Sequence, residues 1–82
     1  NTSCLVLAGL NLRNIPEDIS NISNSQLRND VNTAYTHLKS FFEELARIEA
    51  EKYFEKGKEN EGKNYLISAQ SYRVSSAIYS II

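Results

Sequence analysis

The side chains able to do chemistry are few: one histidine, His37, one cysteine, Cys4, and the carboxylates Glu43, Glu44 and Glu51 downstream of the histidine. Carboxylates beside an imidazole could exchange protons or hold a metal ion. The spacing argues against either use. Di-iron sites in helical bundles take a Glu-x-x-His pair from an inward face, whereas the residue three before His37 is Ala34. His37 also falls on the polar side of the helix predicted around it. A tetrahedral zinc site needs four ligands, so Cys4 and His37 would have to borrow from another chain, and a lone cysteine forms no intrachain disulfide. Both are read as structural residues. No catalytic, metal-binding or cofactor-binding residue is assigned, and the chain is expected not to be an enzyme.

Composition narrows the remaining classes. The 82 residues carry 9 basic and 10 acidic side chains, a formal net charge of −1. Nucleic-acid affinity comes mainly from clustered Lys and Arg that release counterions, so no nucleic-acid partner is expected. A hydrophobic content of 41% with 23% charged residues is that of a folded chain. A chain this short buries only ~60% of its unfolded surface, so a protein partner or a second copy is expected to complete the core. The longest apolar run, Leu5 to Ala8, is far below the ~18 residues of a membrane span. The compartment is left open, with the cytoplasm favoured. The chain opens with Asn and contains no Met, which suggests a processed protein or a segment of a longer one. Asn1-Thr2-Ser3 and Asn21-Ile22-Ser23 match the glycosylation acceptor pattern, at a frequency that chance supplies in an Asn- and Ser-rich chain.

These residues require an all-α frame, a single domain over 1–82. Residues 1–22 read as a short helix, capped by Thr2 or Ser3, and a connection. Pro16 disfavours helix at Ile15, so the first helix is predicted to stop before it. Ser23 then reads as an N-cap, with Gln26 completing a capping box and Ile22 and Leu27 a hydrophobic staple. A long helix over 23–57 follows. Its apolar positions, Leu27, Val31, Ala34, Leu38, Phe41, Phe42, Leu45 and Ile48, recur three and four apart and predict one buried stripe. Beyond Leu45 the pattern swings by about a quarter turn to Ala46, Ala50, Tyr53 and Phe54. The swing predicts either bending around a core or a change of neighbour, from Cys4–Leu12 or a partner to the next helix.

Glu55 to Lys63 lacks any apolar side chain and is read as a solvated turn, with Gly57 as the left-handed residue that ends the long helix. Residues 58–82 are turn and closing helix, the helix running from about Glu61 to Ile82. Its only formal charge after Asn64 is Arg73. Leu66, Ile67, Val74, Ala77, Ile78 and Ile81 form one apolar sector, and Tyr65, Ala69, Tyr72, Ser76 and Tyr79 a second. Ser68, Ser71 and Ser75 lie between. Two apolar sectors want neighbours on two sides. The predicted architecture is therefore an antiparallel hairpin of two long helices with a short N-terminal helix, completed as a bundle by oligomerisation or a host protein.

The predicted interaction residues are Tyr65, Tyr72, Val74, Ile78, Tyr79 and Ile81. The leading expectation is a non-catalytic protein–protein interaction or assembly domain that docks through the apolar face of its last helix. The alternatives are a peptide-binding hairpin using the three tyrosines and, less favoured, a metal-dependent or catalytic accessory domain.

Ala50, Tyr53, Gly57, Gly62, Leu66 and Ala69 match the register of the tetratricopeptide repeat, which this hairpin resembles. Ala46 stands where that family has Trp, Gly62 where it has Ala, and Val74 where Pro ends the second helix. The match covers about 30 residues and occurs once. The hairpin is also similar to microtubule-interacting-and-trafficking-type domains and to an uncharacterised archaeal family of helical hairpins. What the resemblance implies is a protein- or peptide-interaction module without catalytic residues.

Overall fold

A computed structural model describes residues 2–82. It contains three helices, α1 (Thr2–Ser20), α2 (Ser25–Asn60) and α3 (Tyr65–Tyr79), and no strand among the described residues. The all-α hairpin expected from the sequence is present. Its spine is the 36-residue α2, and the molecule is a rod of 58 × 16 × 16 Å. α1 lies against the N-terminal and central part of α2, and α3 folds back along its C-terminal half. The two flanking helices meet at mid-spine, where Leu12, Phe42, Ala46, Ala50, Ile78 and Ile81 form the core.

Pro16 does not end α1, which runs on to Ser20. Proline inside a helix costs about 3 kcal/mol, because it removes a hydrogen bond and crowds the preceding turn. The continuation keeps Leu12, Ile15 and Ile19 on one face; Leu12 and Ile19 are buried, and Ile15 packs against the core. Fully burying an Ile side chain contributes about 1.5–3 kcal/mol, so the buried Ile19 with the half-buried Ile15 offsets much of that cost.

α2 begins one residue later than the capping box predicts. The cap is Asn24, whose side chain accepts from the Leu27 backbone N–H at 2.9 Å. Asn caps at least as well as Ser. Gln26 then turns forward and donates to Asp30 instead of reaching back. Arg28 closes the corner by donating to the Ile22 carbonyl.

The far end of α2 also differs from expectation. Gly57 lies inside the helix and is buried, and the left-handed turn residue is Gly62, with φ +76°. A Cβ on Gly57 would stand 2.8 Å from Cδ1 and Cε1 of Tyr72. That glycine provides close approach between helices, not a turn. α3 starts at Tyr65, four residues later than predicted, because Asn64 caps it by accepting from Ile67 N–H at 3.1 Å.

The face that α3 buries is the one between the two predicted sectors: Ser68, Ser71 and Ser75, followed by Ile78. Opposite them on α2 stand Ala46, Ala50 and Gly57. Small residues on both sides let the backbones approach closely. The serines are satisfied there, Ser68 Oγ donating to Gly57 O at 2.9 Å and Ser75 Oγ to Ala50 O at 2.8 Å. No buried side-chain polar atom among the described residues lacks a partner.

Candidate functional site

The largest departure from the predicted burial pattern lies on α2. The stripe expected to be buried is mostly on the surface: Leu27, Leu38, Phe41, Leu45 and Ile48 are between 46% and 64% exposed, and Ala34 is exposed as well. Of the predicted stripe only Phe42 is buried, and Val31 is half-buried. α2 turns a different face to its own chain, built from Tyr35, Phe42, Ala46, Ala50, Tyr53 and Gly57. At 100° per residue the two faces are centred roughly 110° apart. The spine thus carries two apolar faces, one covered by α1 and α3 and one open.

The open face is regular. Counting from Leu27 through Val31, Ala34, Leu38, Phe41, Leu45 and Ile48, the steps alternate four and three, which is the heptad spacing of a coiled-coil seam. Lys52 and Glu55 take the next two places, so the seam ends in charge. Leu5 of α1 reaches its edge, sharing a shallow cleft with Leu45, Ile48 and Glu49. Glu44 is held by Arg47 at 3.4 Å and Glu49 by Lys52 at 3.9 Å, both solvent-exposed pairs along the flanks.

The residues singled out on the closing helix separate into two groups. Ile78 and Ile81 belong to the core, at 0% and 9% exposure, and Val74 packs against it. They sit in the chain's own interior because α3 turns its serine face, which carries on into Ile78, toward α2. Tyr65 and Tyr79 are exposed at 78% and 45%, and so is Leu66 at 67%. Tyr72 is half-buried over Gly57, its ring 5.6 Å from that of Phe54 and its hydroxyl donating to the Glu61 carboxylate. That carboxylate, with partial burial and the further charge of Glu55, holds the Tyr72 hydroxyl up at about 12. The three tyrosines, seven residues apart, follow one line along α3, the middle one lying over Gly57 and the outer two exposed.

Of the positions shared with the tetratricopeptide pattern, Ala50 and Gly57 are buried in the helix crossing and Tyr53 is half-buried beside it. Gly62 is in the turn, and Leu66 and Ala69 face solvent. Cys4 and His37 are exposed. Among the described residues, no three His, Cys, Asp or Glu side chains gather closely enough to hold a metal ion, and no helix is long and apolar enough to cross a membrane.

A second concavity, about 280 Å³, opens where α1, α2 and the chain's last residues meet; its floor is Gly9, Leu12, Phe42 and Ile81, and Arg13, Lys39 and Glu43 stand at its rim. The cations there are engaged: Arg13 donates to the Ser80 carbonyl at 2.6 Å and Lys39 pairs with Glu43 at 3.9 Å. This is a joint between elements more than a receptor for a ligand.

Fold and surface together define a three-helix all-α domain with an open apolar seam along its spine. Comparison with protein-family models, curated proteins and solved structures finds no match to this chain.

Proposed function

We infer that the chain is a non-catalytic protein–protein interaction module that docks a helical partner. One observation supports the reading above the others: the heptad-spaced strip from Leu27 to Ile48 is left open by the chain's own fold. Monomeric proteins rarely leave a contiguous apolar patch beyond a few hundred Å² without a use for it, and a helix laid along such a strip is a recurring recognition mode. The docking surface lies on α2, not on the apolar sector of the closing helix, since Ile78 and Ile81 are occupied within the fold. Tyr65 and Tyr79 supply a smaller secondary surface.

Site-specific photocrosslinking in the native host tests the reading. A photoreactive residue at position 41 is expected to give a defined protein adduct, and the same residue at Ser40, an exposed position outside the seam, is expected to give none. Absence of any adduct at position 41 overturns the assignment.

A further inference from the structure

We propose that the occupant of the α2 seam is a second copy of this chain, forming a twofold dimer; the proposal rests on the reading of the seam as a docking surface. Three features support a copy over an unrelated helix. The first is self-complementarity. A twofold interface presents the same patch from both sides, so the patch must tolerate itself. From Leu27 to Ile48 the seam positions carry no formal charge, and each copy offers apolar knobs at the same pitch over about 32 Å.

The second feature is area. Leu27, Leu38, Phe41, Leu45 and Ile48 are each about half exposed. At roughly 100 Å² apiece, with Ala34 added, the seam offers on the order of 550 Å² per copy. With the seam fully covered, two copies would bury about 1,100 Å², above the ~800 Å² of lattice contacts and just over the ~1,000 Å² that a biological interface should clear.

The third feature is electrostatic and geometric closure. A net charge of −1 per copy leaves little long-range repulsion to overcome. Lys52 and Glu55 occupy the next two seam positions, so the apolar contact has a defined end. One copy presents one such seam, and a twofold partner covers it from end to end.

Sedimentation equilibrium on the purified 82-residue chain tests the proposal across micromolar to hundred-micromolar concentration. The expected mass is twice the 9.3 kDa of one chain. The double variant Leu38→Glu with Phe41→Glu is expected to sediment as a monomer with its far-ultraviolet helical signal retained, because both side chains already face water. The double variant Tyr65→Ser with Leu66→Glu, equally exposed but on α3, is expected to remain dimeric. A wild-type monomer throughout that range overturns the proposal, as does a dimer that survives the charges at 38 and 41 or dissociates with those on α3. A monomer that still crosslinks to a different protein at position 41 overturns self-association while leaving the docking surface standing. A monomer with no adduct removes both.

Discussion

Gly57 of α2 lies directly beneath the ring of Tyr72 of α3, so close that a Cβ on the glycine would stand 2.8 Å from two ring carbons. The contact sets the separation of the two helices at the turn end of the hairpin. The same tyrosine reaches across the turn to Glu61 and packs on Phe54, so one ring joins α3, the turn and the last turns of α2.

Gly57→Ala should destabilise the chain despite the better helix propensity of alanine. Propensity alone would favour Ala by about 1 kcal/mol, while forcing a methyl into a filled contact costs typically 1–3 kcal/mol. The expected net loss is about 1 kcal/mol in urea unfolding. In a Tyr72→Ala background the same substitution should become stabilising, and a double-mutant cycle reads the coupling. Gly62→Ala should also cost about 1–2 kcal/mol, from its positive φ alone, with no dependence on residue 72.

The buried serines should respond to size more than to polarity. Ser75→Ala removes a bond to the Ala50 carbonyl, a loss of about 1 kcal/mol. Ser75→Leu must push apart helices that meet through small side chains, and should cost about 1–3 kcal/mol beyond the lost bond. Parallel chemical denaturation of the two variants measures the difference. An equal or better stability for Ser75→Leu would show that the helices have room to spare.

Tyr72 should ionise well above the ordinary range of a tyrosine. Its folded value is raised to about 12 against an ordinary value near 10, so folding favours the neutral hydroxyl. The stabilisation from its bond to Glu61 is therefore fully present below pH ~10 and is lost as pH rises through about 12. The difference in tyrosinate absorbance between wild type and Tyr72→Phe should titrate near the upper end of that window. The stability advantage of wild type over the variant should shrink across it.

Local signals in the sequence locate the elements well and their faces poorly. The long helix, the polar turn after it and the closing helix follow from hydrophobic spacing and from the Asn, Ser and Gly punctuation. The cap shifts by one residue because Ser23 and Asn24 are both good caps, and only the geometry of the corner at Ile22 and Arg28 decides between them. Pro16 misleads because its local backbone cost, taken alone, leaves out the packing of Ile15 and Ile19 around it. The inversion of faces has a more general cause. Reading large apolar side chains as buried assumes that burial follows bulk, whereas α2 and α3 meet through Ala46, Ala50, Gly57, Ser68, Ser71 and Ser75. Close approach through small residues leaves bulky ones such as Phe41 and Leu66 outside. The swing from the Leu38–Leu45 pattern to the Ala46–Ala50 pattern marks two faces of α2, and not a change of neighbour along one face. Which of the two patterns stays open is not legible, because both are apolar.

The corner at residues 21–24 and the turn at residues 61–64 lie at opposite ends of a 36-residue helix, about 54 Å apart at 1.5 Å per residue. α1 and α3 brace that helix from the same core without lengthening the molecule, whose longest dimension is 58 Å. The domain is thereby a strut: groups attached at its two loops are held a fixed distance apart, and a load along the axis is carried by one continuous helix with no joint to yield.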